Sequence, residues 1–387
     1  VTPITDRPNA LDDTLLHRVL VFSDRMAMMS PAALIFTLLA NAVLVGVMWW
    51  SAQHAAAGLA AASSMAAFSA LCGVMLGWLP RAGRSWGAYQ PPLIALTAAM
   101  TLGCALIGIL GLPTAVMWGV LALTLGIAFY ATWVEPFRVG VTRHTLKNQA
   151  NTRTFTLLHL GDLHIEHLSP RERQVNALIE RLRPDVIVFS GDFVNISYTY
   201  DAQSEAEIRS VIGAWRAPLG IFCVPGTPAV EPLERVVAFT RQLPGVTLLT
   251  NAWHSVTTQA GDLHILGLVT THDLHQDRAA LHQALQGAPN GDGLRLLLAH
   301  APDLAPEAAR AHFDLYLCGH THGGQIRLPL IGALFSASHY GRRFAIGRHR
   351  VDDMTLYTTR GLGMEGFGAP RARFLCPPEI VLWEITP

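Results

Sequence analysis

Charge is what this 387-residue chain has least of. Only 14% of its residues are Asp, Glu, Lys or Arg, 51% are hydrophobic, and the mean hydropathy is +0.32. That is rich for a water-soluble enzyme and points to segments solvated by lipid. Net charge is zero, from 28 basic and 28 acidic residues. No surplus of positive charge therefore argues for nucleic acid, and none is expected as a partner. No Cys-x-x-Cys pair occurs. The five cysteines (Cys72, Cys104, Cys223, Cys318 and Cys376) are scattered and odd in number, which predicts reduced, buried thiols rather than a disulfide framework. Internal repeats are lacking too, and the only biased stretch is the Ala-rich 55–67.

The shortage of charge is local. From Pro31 to Val134 the only Lys, Arg, Asp or Glu residues are Arg81 and Arg84. Four apolar stretches, about 31–50, 60–80, 91–111 and 114–134, each approach the ~20 residues a helix needs to cross a hydrocarbon core. Trp49, Trp50, Trp78, Trp86, Tyr89, Tyr130 and Trp133 fall at their ends, as interfacial anchors do. The first stretch is too long for a cleaved signal peptide, and bulky Trp49-Trp50 precede the only nearby small-residue site. Ser69, Gly73 and Gly77 recur at spacing four on the second stretch. That ridge serves packing inside a four-helix bundle and a homodimer through the bundle equally well. No ionisable group lies in mid-span, so the bundle reads as an anchor or lipid platform rather than a transport path.

Basic residues alternate along these spans. Arg7, Arg18 and Arg25 precede the first, Arg81 and Arg84 separate the second from the third, and Arg138, Arg143, Lys147 and Arg153 follow the fourth; the other two links have none. The alternation predicts a multi-pass protein of the inner (cytoplasmic) membrane with both ends, and the catalytic part, cytoplasmic. Within 1–30, Leu11, Leu15, Val19, Phe22 and Met26 recur at near-helical spacing. They suit an amphipathic helix on the membrane surface or one packed on the catalytic part. Residues 135–153 read as a polar, basic linker.

From residue 154 the pattern changes to alternating strands and helices. Strands are expected at 157–160, 185–189, 246–249, 263–269, 294–299, 314–318, 354–358 and 379–385, and helices at 171–183, 203–215 and 232–243. Four of the buried strands run straight into Asp or His: Gly161-Asp162-Leu163-His164, Gly191-Asp192, His300, and Gly319-His320-Thr321-His322-Gly323-Gly324-Gln325. If extended geometry persists beyond the last of these, His320 and His322 point to one side. Open α/β sheets bind ligands at the carboxyl ends of their strands. Asp and His converging there make a site for divalent metals such as Mn, Fe or Zn.

The ordered set D-x-H, G-D, H and G-H-x-H-G-G-Q resembles the calcineurin-like metallophosphoesterase superfamily. The closest likeness is to its bacterial membrane-associated branch, some members of which, such as UDP-2,3-diacylglucosamine pyrophosphatases, act on lipid-linked phosphates. The likeness covers about residues 154–387 and takes in Arg327-Leu328-Pro329, Leu356-Tyr357, Arg360-Gly361-Leu362-Gly363 and Pro378-Glu379-Ile380. It implies an α/β metallophosphoesterase domain, an αββα sandwich, following the four-helix transmembrane bundle read from the apolar stretches. It also implies two metal ions: Asp162, His164 and His322 at one, Asp192 bridging, His300 and His320 at the second. Asp192, His300 and His320 form the implied catalytic set, and a metal-bound hydroxide is the implied nucleophile.

One departure stands out. The family carries Gly-Asn-His after its third strand, the Asn ligating the second metal and the His steadying the phosphate or protonating the leaving group. Here the chain reads Gly226-Thr227-Pro228. The second metal is then weakened or held through water, and a proton donor must come from elsewhere, His167 and His272 being candidates that read equally as loop histidines. A leaving group of low basicity needs no donor, which favours a pyrophosphate or phosphoanhydride bond. Thr227, Arg327 and Arg360 are candidate substrate contacts within an Arg-rich stretch, 327–373, that suits phosphate or anionic headgroups or is simply a solvated face. The apolar run Leu328–Phe335 is core or a lip that dips into lipid. The expected partners are membrane lipid and a phosphorylated lipid or nucleotide-lipid substrate. The competing reading is a degenerate phosphoesterase fold that binds such a ligand without turnover.

Overall fold

The computed structural model describes residues 22–23 and 25–387. Leu11, Leu15 and Val19, and with them most of the expected amphipathic segment, lie outside the described residues. The described chain forms two compact units. One holds the residues up to Val134 together with Glu365–Arg371, the other residues 135–364 and 372–387.

Among the described residues, the first unit contains four helices long and apolar enough to cross a membrane: α1 (Pro31–Ala52), α2 (Ala55–Gly77), α3 (Gln90–Ile109) and α4 (Thr114–Phe129). α4 runs on through a π turn at Tyr130–Val134. Ser30 caps α1, its hydroxyl accepting from Ala33 N at 3.2 Å, and Pro31 suits the first turn, where no amide hydrogen is needed. α2 begins five residues earlier than its hydropathy suggests, because His54 Nδ1 accepts from Ala57 N at 3.1 Å and Ala carries the turn that follows. Trp49 anchors the interior, its indole N–H donating to Cys104 O at 2.8 Å. Closest approach of α1 and α2 is made at Gly46 and Gly58: a methyl on Gly58 would sit 2.6 Å from the Gly46 carbonyl. The Ser69–Gly73–Gly77 ridge is used only in part, since Gly73 meets Leu93 but Gly77 faces open space. Phe36, Leu59 and Leu102 are more than 70% exposed, an apolar exterior that suits lipid rather than water.

The second unit begins earlier than expected. Residues 135–153, read as a linker, contain β1 (Gly140–Lys147), paired in parallel along its whole length with the last strand, β14 (Glu379–Thr386). β1 is a sheet edge with mostly half-exposed positions, so its sequence lacks the apolar run of a buried strand. The elements between are β2 (Phe155–Leu160), α5 (Pro170–Leu182), β3 (Val186–Phe189), α6 (Ala202–Gly213), β4 (Ile221–Cys223), α7 (Leu233–Thr240), β5 (Val246–Leu248), β6 (Ala252–Thr258), β7 (Gly261–Gly267), α8 (Leu274–Leu285), β8 (Gly293–Leu298), α9 (Ala305–Arg310), β9 (Leu315–Cys318), β10 (Arg327–Leu328), β11 (Gly332–Ala333), β12 (Gly347–Val351) and β13 (Met354–Thr358).

They build two six-stranded sheets, in the orders β1-β14-β2-β3-β4-β5 and β12-β13-β9-β8-β7-β6. The period-two alternation of side chains makes the layers. Leu157, Val186 and Val188 of the first sheet face Leu296, Leu315 and Leu317 of the second in one buried cluster. Their neighbours Leu158, Ile187 and Phe189 pack under α5, α6 and α7, and Leu297, Tyr316 and Cys318 under α8 and α9. The order is helices, sheet, sheet, helices. Each buried leucine between the sheets contributes roughly 1.5–3 kcal/mol, and the strand ends are held accordingly. All five cysteines are free and buried.

Candidate metal centre

β2 and β3 of one sheet and β8 and β9 of the other release the chain at one edge, and the expected ligands sit in the loops that follow. Asp162, His164, Asp192 and His322 are all buried, and their donor atoms lie within 4.8 Å of one another. His164 Nε2 is 2.9 Å from His322 Nε2 and 3.2 Å from Asp192 Oδ2. His300 approaches Asp192 from the other side, Nε2 to Oδ2 at 3.2 Å. Its Nδ1 lies 2.8 Å from the Ser190 carbonyl, to which it donates. That bond orients the ring with Nε2 toward Asp192. His320 stands next to His300, ring centroids 5.0 Å apart, with its Nε2 3.3 Å from Ala337 O.

The histidine pair does not converge through extended backbone as its spacing suggests. His320 and His322 both have positive φ, 69° and 51°, and so do Asp162, His164 and Asp192. Left-handed backbone at non-glycine residues is uncommon and costs about 1–3 kcal/mol each. The strand ends are thus wound tightly to turn the side chains inward. The neighbouring glycines are needed for space: a methyl on Gly226 would fall 2.0 Å from Asp192 Oδ1, and one on Gly319 would fall 2.5 Å from Asp162 Oδ2.

Electrostatics mark the cluster as built for a cation. Burial pushes the Asp162 carboxyl up to about 6, against the pull of His300, and its Oδ2 is buried without a hydrogen-bond partner. Burial also raises Asp192, but the charges of His300 and His164 outweigh it and hold that carboxyl well below the usual range. His300 is raised to about 10, because Asp192 outweighs its burial. Burial holds His320 and His322 well below the ordinary imidazole value, so both present neutral nitrogen. Orphaned carboxylate oxygen and neutral imidazole in one buried volume fit a divalent metal.

Residues 155–324 match the family described as calcineurin-like phosphoesterase. The match runs from β2 through β9 and takes in all the clustered Asp and His residues. Among its curated relatives, the metallophosphoesterase YkuE of Bacillus subtilis is 28% identical over 288 residues, 70% of this chain and 94% of the relative. The phosphodiesterase YaeI of Escherichia coli is 28% identical over 261 residues, 66% and 92%. The UDP-2,3-diacylglucosamine pyrophosphatase LpxG of Chlamydia trachomatis is 23% identical over 322 residues, 70% and 96%. This calcineurin-like phosphoesterase is a hydrolase of phosphoester bonds with a buried Asp/His metal cluster.

Within the phosphoesterase domain, Thr227 lies where the loop after β4 meets the cluster. Its amide donates to Asp192 Oδ1 at 2.8 Å and its hydroxyl is 3.1 Å from His300 Nε2. Arg327 donates to Gly323 O at 2.9 Å, beside the His320–His322 loop. Arg360 is placed differently: its guanidinium is paired with buried Glu379 at 2.6 Å, which leaves it occupied inside the fold. Arg373 is fully buried and donates to the carbonyls of Gly363 and Cys376. The Arg-rich stretch is therefore not a single open phosphate-binding face.

Two residues near the centre went unassigned or undecided in the sequence. Glu231 accepts from the amides of Asp192 at 3.0 Å and Phe193 at 2.8 Å, and from Gly226. It ties the two ligand-bearing loops together, and burial, reinforced by Asp192, pushes its carboxyl up to about 8. His272 places Nε2 3.2 Å from the Thr227 hydroxyl and its ring 4.4 Å from that of His320. Burial and His300 lower it to about 4. The other candidate donor, His167, packs on Tyr198 and faces Glu207 at 3.4 Å.

Proposed function

We propose that this protein is a membrane-anchored, metal-dependent hydrolase whose substrate is a lipid-linked phosphate or pyrophosphate, of the nucleotide-diphospho-lipid kind. The observation that carries the lipid is a surface one. Between β10 and β11 and just after it, Leu330, Ile331, Leu334 and Phe335 are exposed, Leu330 completely. This apolar lip leads directly to Ala337, whose carbonyl lies 3.3 Å from His320. An acyl chain, or the membrane holding it, suits such a surface better than water does. The four apolar helices and the likeness to a relative named as a UDP-2,3-diacylglucosamine pyrophosphatase support the same reading.

In this reading Asp162, His164, Asp192 and His322 hold one divalent ion, and Asp192, His300 and His320 hold another. Such ions polarise phosphoryl oxygens and supply a nucleophile at neutral pH. Glu231 and the Ser190 carbonyl fix the ligand loops. Pro228 offers no proton where the family has His, so the bond cleaved is one whose leaving group departs as a phosphate of low basicity.

The test is hydrolysis by the detergent-solubilised protein of an acylated nucleotide-diphospho-sugar and of its deacylated counterpart, with added Mn. The acylated substrate is expected to have the higher kcat/KM, by at least about tenfold, or roughly 1.4 kcal/mol of transition-state stabilisation. Asp192→Ala is expected to abolish both reactions while the protein stays folded. Equal rates on the two substrates overturn the lipid assignment, and activity surviving in Asp192→Ala overturns the metal mechanism.

A further inference from the structure

The second ion in that reading lacks the amide oxygen that the Gly-Asn-His loop ordinarily gives it, and the geometry points to His272 as its replacement. We propose that His272 Nε2 is a ligand of the second metal, entering beside the Thr227 hydroxyl. This rests on the two-metal reading above and adds a residue outside the family's motifs.

The atoms form a connected arc. Asp192 Oδ2 is 3.2 Å from His300 Nε2, His300 Nε2 is 3.1 Å from Thr227 Oγ1, and Thr227 Oγ1 is 3.2 Å from His272 Nε2. The His272 ring also stands 4.4 Å from His320 and 6.2 Å from His300. Two imidazole nitrogens thus flank the hydroxyl that replaces the amide, with Asp192 beside one ring and His320 beside the other. A threonine hydroxyl is short and neutral. An imidazole reaching over it restores a strong donor at the same place.

The loop bearing His272 is held as a ligand loop is held. It joins β7 to α8, and at its β7 end Thr270 Oγ1 accepts from the amide of His300 at 3.1 Å. At its α8 end Asp277 accepts from Thr271 N at 2.9 Å and Thr271 Oγ1 at 2.6 Å, while Asp273 caps the helix. Between them His272 has φ 63°, the left-handed conformation it shares with Asp162, His164, Asp192, His320 and His322. The same loop touches a ligand of the neighbouring strand and turns a side chain back into the cluster.

The exchange has a chemical consequence. With His272, His300 and His320 the second site is richer in nitrogen than an Asn-containing one. Imidazole donors favour Zn and Fe over Mn, so the two sites of this chain are expected to differ in metal preference.

The experiment counts metal rather than activity. The full-length protein in detergent is stripped of metal and titrated with Co(II) and with Zn(II), followed by ligand-field absorption and elemental analysis after dialysis. The wild type is expected to bind two equivalents. His272→Ala is expected to retain one of them at wild-type affinity and to weaken the other by about 100-fold, with loss of its ligand-field band. His272→Asp, which restores a donor, is expected to recover that equivalent. If His272→Ala does not fold, His272→Asn is read in its place, since an amide there keeps an oxygen donor and a changed spectrum still reports coordination. Two equivalents with unchanged affinity and spectrum in either variant overturn the assignment of His272. A wild type with a single equivalent that His272→Ala leaves untouched overturns it too, with the first site intact. A wild type that binds no metal overturns the proposed function itself.

Discussion

At the scale of the residue, the domain spends stability on its site and recovers it in buried polar contacts nearby. Five candidate ligand positions hold positive φ, each a conformation that unaided backbone avoids. One compensating contact is Glu379, 1% exposed, paired with Arg360 at 2.6 Å and accepting from the Tyr357 hydroxyl and the Arg360 amide, each at 3.1 Å. Burial raises its pKa, but Arg360 and the other donors outweigh this and hold it below the usual 4.5. A carboxyl whose folded pKa is depressed adds stability that is present above its unfolded value and lost as pH falls through its folded one. Glu379→Gln is therefore expected to cost roughly 3 kcal/mol at pH 7 by leaving the Arg360 cation underpaired. The gap to wild type should close below pH 4.5. Thermal unfolding of the two proteins in detergent across that range checks it; a gap of constant size down to pH 3 would show that shape rather than charge is responsible.

At the scale of the element, what was legible in the sequence tracks how deeply each element is buried. β2, β3, β8 and β9 are apolar runs that stop at Gly or at a ligand, and their Asp and His residues could be read as a set. β6 and β12 lie at the edges of the second sheet, where half-exposed positions break the hydrophobic pattern. α8 escaped notice because Leu281 is the only apolar side chain it buries fully. Glu231 could not be read as a site residue, and His272 read equally as a proton donor or a loop histidine, since only tertiary contact brings their loops to the cluster. The lip around β10 and β11 was visible as an apolar run, but only its exposure separates lip from core. It carries its own prediction. Leu330 and Phe335 are 108% and 57% exposed, so Leu330→Asp with Phe335→Asp should leave the fold intact. If these side chains enter lipid, the double variant loses about tenfold or more in turnover of an acylated substrate in vesicles, because each inserted side chain contributes roughly 1.5–3 kcal/mol. Hydrolysis of a soluble aryl phosphodiester should be unchanged. Equal losses on both substrates would place the lip in the catalytic architecture instead.

At the scale of the whole molecule, access to substrate depends on which side of the membrane holds the phosphoesterase. Four helices are long and apolar enough to cross, and an even number of crossings returns a chain to the side on which it began. Orientation then rests on charge, because Lys and Arg near span ends are retained on the cytoplasmic side. Arg81 and Arg84 lie between α2 and α3, and Arg138, Arg143, Lys147 and Arg153 follow α4, while the α1–α2 and α3–α4 links carry no Lys or Arg. A reporter fused after Pro387 is therefore expected to read cytoplasmic, and one inserted in the α3–α4 link near Gly111 periplasmic. The charge argument also says what should reverse it. Replacing Arg81 and Arg84 by neutral residues while adding two lysines near Gly111 removes the bias from one link and gives it to the other, so a mixed orientation should appear at both reporters. A periplasmic signal after Pro387 in the unaltered chain would reject the orientation outright. It would also require a substrate presented on the outer face, to which a cytoplasmic nucleotide-diphospho-lipid has no access.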